Sequence, residues 1–155
     1  FFVVRRRFPH KEFHGATLEQ RMQMLIRLAA TQSRLSAAVS DGGLFIEIAR
    51  EVREHFPAAQ LYFLCGRDAA ERIVQWDYGT SGAFAGMLND FHLLVAPRSG
   101  RYTPPDDLLH GVHTLDPGDF DQCSSTRVRE ALEAGNDWRD LVPEEIHGLV
   151  ENFYR

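Results

Sequence analysis

The sequence predicts an α/β fold: a parallel sheet with helices on both faces. Three observations predict it. Short apolar β runs alternate with helical runs along the whole chain. Two of those runs, Leu61 to Cys65 and Phe91 to Ala96, are unbroken apolar or nearly so, as strands covered on both faces should be. The order reads strand, helix, strand, helix, strand, helix, strand, strand, helix, helix, and such alternation means parallel strands joined by crossover helices.

Phe1 to Val4 is the first β run, ending at Arg5-Arg6-Arg7, and Pro9 to Gly15 is a loop. Thr17 opens a helix, with Gln20 as its capping-box partner. Leu18, Met22, Leu25, Ile26 and Ala29 recur at helical spacing, which predicts one buried face. Leu35 to Val39 is a small strand closed by Ser40 to Gly43. In the second helix Phe45, Ile48, Ala49, Val52 and Phe56 share a face, and Pro57 stops it. After Leu61 to Cys65, Asp68 is placed to cap the short helix carrying Ile73 and Val74.

Trp76 to Asn89 reads as Gly-rich and irregular, and Arg98 to Leu109 as a long loop. Val112 to Leu115 is a short strand and Pro117-Gly118 a turn. Ser124-Ser125-Thr126 opens a helix whose Val128, Ala131 and Leu132 share a face and which Gly135 ends. Pro143 starts the last helix, with Ile146, Leu149, Val150 and Phe153 inward. No repeat, linker or low-complexity segment divides residues 1–155, so a single domain is expected.

The bulk numbers narrow the function. The formal net charge is −5, against the basic face a general nucleic-acid binder needs. A local arginine cluster still suits a small anion on an acidic protein. The longest apolar runs fall far short of a bilayer span, and no signal peptide is legible at the start. Two cysteines, Cys65 and Cys123, make no disulfide framework, and a reducing cytoplasmic setting is the simplest expectation. The chain opens on Phe1 inside a β run, so residues upstream are expected to have been removed or left out.

In a doubly wound sheet ligands bind outside the carboxyl ends of the strands. The strongest signal there is Ser124-Ser125-Thr126-Arg127-Val128-Arg129. Three hydroxyls stand at a helix N-terminus, where unpaired N–H groups favour an anion. Arginines in that position suit a bound anion; an ordinary N-cap with two surface arginines explains the same letters. Gly66 and Asp68 follow a buried strand, where glycine admits a ligand close to the backbone and Asp accepts from a ribose hydroxyl or caps the helix. Trp76 offers a stacking face, or is a rim residue. His110 and His113 lack partners at metal spacing and read as a surface loop, so no metal ligand is assigned. Cys123 reads as a small buried thiol.

Taken together these residues resemble one family. Ser124-Ser125-Thr126-x-Val128-Arg129 is similar to the Ser-Ser-Thr-x-Ile-Arg motif of nicotinate (or nicotinamide) mononucleotide adenylyltransferases. Pro9-His10-Lys11 followed by Arg21-Met22-x-Met24-Leu25 resembles their Pro-x-His-Lys loop and next helix. Gly66-x-Asp68 with Trp76, the His92 to Gly100 stretch, and Leu141-Val142-Pro143 with Tyr154-Arg155 also fit, in order along essentially the whole chain. The resemblance implies a Rossmann-like nucleotidyltransferase fold and, in NAD biosynthesis, adenylyl transfer from ATP to the mononucleotide with Mg²⁺ assisting.

The resemblance also assigns roles. Ser124, Ser125, Thr126, Arg129, Gly66, Asp68 and Arg98 are implied to bind ATP and its phosphates. His10, Lys11, Trp76 and Asp77 are implied to hold the mononucleotide, and Lys11 and Arg129 to act in catalysis. Expected partners are small nucleotides, with neither nucleic acid nor membrane.

Three departures stand out. The family's glycine-rich His-x-Gly-His segment is absent, Leu44-Phe45 stands near its Tyr-Thr, and Arg5 to Arg7 replaces a Pro-Asn-type loop. In this fold the absent first strand is central, so roughly 20–40 upstream residues are expected, the size of a strand-loop-helix unit. Without them two bare strand edges call for instability or pairing with another chain, which makes a homo-oligomer one expected state. A non-catalytic nucleotide-binding relative and a transferase for another phosphate ester, such as phosphopantetheine, are the alternatives.

Overall fold

The structure is a computed structural model that describes residues 1–6, 15–97, 100–116 and 124–154. The chain folds as two compact units, Phe1–Gly43 with Gln122–Arg155, and Leu44–Asp121.

The first unit holds β1 (Phe2–Arg5), α1 (Leu18–Ala29), β2 (Ala37–Ser40), α5 (Ser125–Glu133) and α6 (His147–Phe153). β1 and β2 pair in parallel, Phe2 opposite Ala37 and Arg5 opposite Ser40. α1 makes the crossover between them and packs on both. Its start is fixed by a reciprocal cap. Thr17 Oγ1 accepts from the Gln20 N–H at 3.2 Å, and Gln20 Oε1 accepts from the Thr17 N–H at 2.8 Å.

No α1 residue is fully buried: Leu18, Met22, Leu25 and Ala29 of the expected face are half-buried, and Ile26, 55% exposed, is the correction to it. Met24 and Leu28 pack as well, against the cluster of Val128, Trp138, Ile146 and Val150. Met24, Leu25 and Ile26 are consecutive, so spacing alone leaves the inward stripe undetermined. α5 closes as expected: Gly135 takes φ +67°, and the Asn136 N–H reaches back to the Ala131 carbonyl at 2.8 Å.

The second unit holds α2 (Phe45–His55), β3 (Tyr62–Gly66), α3 (Arg67–Gln75), α4 (Ala83–Met87), β4 (His92–Ala96) and β5 (Val112–Thr114). The three strands are parallel in the order β3-β4-β5, with Tyr62 opposite His92 and Gly66 opposite Ala96. Leu93 and Val95 are fully buried, as are Ala49 of α2 and Ala70 of α3 in the same core. Phe45 stacks on Phe63 at 4.4 Å between centroids, and Phe91 meets both rings edge-on.

Three expectations change in this unit. β3 is not covered on both faces within it: Tyr62 is 50% and Leu64 65% exposed, while Phe63 and Cys65 turn to the core. The Gly-rich stretch after Trp76 contains the five-residue helix α4, whose Phe84 and Leu88 anchor it in the core. His113 lies on strand β5, not in a loop; its Nε2 is 3.0 Å from Nδ1 of His92 on the neighbouring strand.

Replacing Thr17 with Ala removes one half of the cap and should destabilise the protein by about 1 kcal/mol in urea unfolding. An unchanged midpoint would remove the cap from the account of α1. Burial pushes the Cys65 thiol up from 9.0 to about 11. The neutral thiol is the form the fold favours, so its contribution is complete below pH 9.0 and is lost as pH rises toward about 11. Alkylation of Cys65 at pH 9, followed by peptide mapping, should be slower in the folded protein than in urea.

Candidate active site

Ser124 is the N-cap of α5, and its Oγ accepts from the Arg127 N–H at 3.2 Å. One of the three hydroxyls is therefore spent on the helix. Ser125 and Thr126 occupy the first two helical positions and are exposed. Their N–H groups precede the first intrahelical bond, so helix geometry leaves them pointing outward. Arg129 follows one turn later, half-buried, and its Nη2 donates to Thr126 Oγ1 at 3.4 Å. α5 carries no acidic residue in its first turn to satisfy the dipole.

A cavity of about 300 Å³ opens beside this helix start. Ser124, Ser125, Arg129 and Tyr154 border it, and Val128 and Val150 contribute apolar wall. Arg129 also borders a second cavity of about 290 Å³, with Gly15, Glu133 and Tyr154. This arrangement offers two hydroxyls, outward N–H groups and a guanidinium to an anion, next to apolar surface suited to a larger group.

The neighbouring loops of the same unit are tied down. Arg5 Nη1 donates to the Gly43 carbonyl at 2.6 Å, and burial holds the Arg5 guanidinium below its ordinary range. Arg6 pairs with Asp41 at 2.6 Å. Both arginines thus brace the Ser40 to Gly43 turn, in which Ser40 Oγ accepts from the Gly42 N–H at 3.0 Å.

In the second unit Gly66 ends β3 and is itself the N-cap of α3. Asp68 is therefore not the cap: it is exposed in the first turn, where the helix dipole favours its charge, and makes no capping bond. Trp76 closes α3 and is 42% exposed. It borders a cavity of about 500 Å³ together with Asp77, Tyr78, Thr80, Ser81 and Pro105. Asp77 Oδ1 accepts from the Gly79 N–H at 2.7 Å, which folds the turn under the indole. The Tyr78 hydroxyl donates to the Ile73 carbonyl at 3.0 Å, and its ring stacks on Phe84. Burial raises the Tyr78 phenol above its ordinary range. Tyr78 thus holds the cavity floor, a role that sequence reading missed and that the alternation of Trp76 and Tyr78 around Asp77 could have signalled.

His10, Lys11 and Arg98 lie outside the described residues, as do Arg7, Pro117-Gly118, Cys123 and Arg155. Among the described residues no group of three His, Cys, Asp or Glu side chains is placed to hold a metal ion. No helix among them is long and apolar enough to cross a membrane.

Exposed Ser125 and Thr126 at a helix start, in an α/β chain of parallel strands, are the features set beside known proteins. The chain is 30% identical to a probable nicotinate-nucleotide adenylyltransferase of Thermus thermophilus over 97% of its own length and 78% of the relative's. It is 28% identical to the protein of the same name from Gloeobacter violaceus, over 92% of this chain and 73% of that one. The chain belongs to the nicotinate-nucleotide adenylyltransferase family, a family of enzymes.

No protein-family model matches it. Among solved structures, the Plasmodium falciparum nicotinic acid mononucleotide adenylyltransferase complexed with NaAD superposes with a TM-score of 0.64 at 17% identity, over 97% of this chain and 78% of that one. The same enzyme complexed with APC gives 0.55. At these identities the likeness carries the Rossmann-like fold alone.

Substituting Ser124 with Ala should lower stability by about 1 kcal/mol, since it removes the α5 cap. Ser125→Ala should leave the urea midpoint unchanged. Equal losses in the two variants would contradict the division of labour described above.

Proposed function

We propose that this chain transfers the adenylyl group of ATP to nicotinate mononucleotide, releasing pyrophosphate and forming the pyridine dinucleotide. The observation that carries the reading is the exposed Ser125-Thr126 start of α5 with Arg129 one turn behind, in a chain of this family.

In this reading an oxygen of the mononucleotide phosphate attacks the α-phosphorus of ATP, and the bond to the leaving pyrophosphate breaks. No covalent intermediate is needed; positioning and charge stabilisation supply the rate. Ser124 holds the helix start in shape. Ser125 and Thr126 receive the donor phosphates through hydroxyl and N–H, and Arg129 balances the charge that builds on the departing oxygens. Gly66 lets the adenosine part approach the backbone, Asp68 accepts from a ribose hydroxyl, and Arg98 adds positive charge. Trp76 stacks on the pyridine ring, and the backbone after it, shaped by the Asp77 turn, faces the carboxylate. His10 and Lys11 border the phosphates, Lys11 as a catalytic cation.

Mg²⁺ fits this arrangement as an ion carried in on the triphosphate, since that ion keeps several waters and needs few protein carboxylates. When bound it would neutralise the phosphate oxygens. The residues named here would orient the two phosphates.

The test is pyrophosphate release from ATP plus nicotinate mononucleotide by the purified protein. Arg129→Met should reduce kcat/KM by about 10- to 100-fold, the worth of a charge-assisted hydrogen bond. Trp76→Ala should raise the KM for the mononucleotide by about fivefold or more, with a smaller change for ATP, as loss of a stacked ring requires. An enzyme that releases pyrophosphate only with phosphopantetheine would replace this substrate assignment. Full activity in Arg129→Met would defeat the assignment of the phosphate site.

A further inference from the structure

Arg67 stands where β3 gives way to α3, between Gly66 and Asp68. Its side chain is 31% exposed and is held on two sides. On the helix side its Nε lies 3.3 Å from Glu71 Oε1, one turn further on. Glu71 is itself 45% exposed, and an ion pair this open to water contributes little. The Arg67 Nε is nonetheless buried, and among the described residues it makes no directed hydrogen bond. The contact with Glu71 is therefore one of charge alone. A buried N–H left in that condition is costly and calls for a reason.

The reason lies on the other side, at Gly100. This residue follows β4 and takes φ +111°, a conformation that favours glycine. A Cβ added to it would stand 2.9 Å from Arg67 Nη1. The tip of the guanidinium thus lies on bare backbone, in space that any side chain at Gly100 would contest.

The two contacts bridge two chain exits. β3 and β4 finish together, with Gly66 opposite Ala96. One exit turns into α3, and the other runs on to Gly100. Arg67 is rooted in the first, and its tip rests on the second. Both belong to the Leu44–Asp121 unit.

We propose that Arg67 is a positioning residue for ATP, holding the backbone after β4 at a set distance from the Gly66 to Asp68 turn. The proposal rests on the reading above, in which that turn carries the adenosine part. Arg67 acts through the backbone at its two ends and is assigned no contact with the nucleotide. The planar guanidinium is the spacer, and the gap it sets is the gap the nucleoside enters.

The experiment is titration calorimetry of the whole protein with ATP and, separately, with nicotinate mononucleotide. Arg67→Met keeps an unbranched stem and removes the guanidinium. It should raise the Kd for ATP about fivefold or more, in line with coupling energies between touching residues, and leave that for the mononucleotide unchanged. Gly100→Ala should also weaken ATP binding, because the new methyl displaces the guanidinium. It should do so by a smaller factor in Arg67→Met, where no guanidinium remains to be displaced. Unchanged ATP binding in Arg67→Met overturns the proposal. So does equal weakening of both ligands, or an equal Gly100→Ala factor in the two backgrounds.

Arg67→Lys separates charge from shape. Lysine keeps a cation opposite Glu71 but lacks the planar head, so it should bind ATP as weakly as Arg67→Met. Full ATP affinity in Arg67→Lys would place the effect in the charge and overturn the spacer role. A wild-type protein that binds ATP yet releases no pyrophosphate defeats the proposed activity alone, and the variant comparisons still decide the role of Arg67. A wild-type protein that binds no ATP overturns both.

Discussion

The parallel pairing of β4 with strands on both sides is the constraint from which the second unit follows. Leu93 and Val95 are wholly withdrawn from water, and the residues that cover them include Ala49 and Ala70, which have no side chain beyond Cβ. Close approach of helix backbone to sheet is the consequence, and it leaves little freedom in where α3 begins. The register then brings Gly66 and Ala96 side by side, so β3 and β4 finish together. Whatever follows them, the Gly66 turn on one strand and the segment leading to Gly100 on the other, must emerge at the same edge. That edge is where open parallel sheets expose backbone groups to ligands.

The first unit reaches a similar end through helix chemistry. Its sheet has two strands, and its apolar cluster is built from α1, α5, α6 and the segment between the last two, which supplies Trp138 and Ile146. The entry angle of α5 depends on Ser124 outside the helix and on Val128 inside it, the one anchored by a hydrogen bond and the other by burial. Fixing both ends of one turn fixes the outward direction of the groups between them, Ser125 and Thr126. The outward N–H groups of the helix start are thus a by-product of how that turn is secured.

Much of this was legible in the letters, for physical reasons that differ by element. The Thr17–Gln20 cap, the Ser124 cap and the Gly135 terminator were readable because each depends on one residue type at one offset, with no help from distant contacts. The β3 run was misread because an unbroken apolar stretch states only that burial is available; Tyr62 and Leu64 are left open within their own unit. Asp68 looked like a cap because acids are favoured both at the N-cap and in the first turn, and the two places differ by a residue or two. α4 was hidden because Gly82 and Gly86 weigh against helix in any propensity sum, and only the burial of Phe84 and Leu88 outweighs them. Of the candidate site, the α5 start and the exposed Trp76 were visible, whereas the bond from the Tyr78 hydroxyl to the Ile73 carbonyl and the stacking of its ring on Phe84 were not, because they depend on contacts that no local pattern states.

The hydroxyl run shows how sequence and structure divide an ambiguity between them. Three adjacent hydroxyls at a helix start are consistent with a plain cap or with a ligand cradle, and the sequence offers no way to choose. Helix geometry does, because a single N-cap side chain can reach the N–H groups two and three residues on, and only one residue can hold that place. Ser124 holds it. Ser125 and Thr126 are then excluded from capping by their own positions, and a fold that needed nothing from them would be as well served there by acids, which suit the dipole without a ligand. The chain instead places Arg127 and Arg129 close behind them, cations at the positive end of a helix. First-turn cations run against the helix dipole, so this helix start departs from the usual acidic first turn in the direction that a bound negative charge would favour.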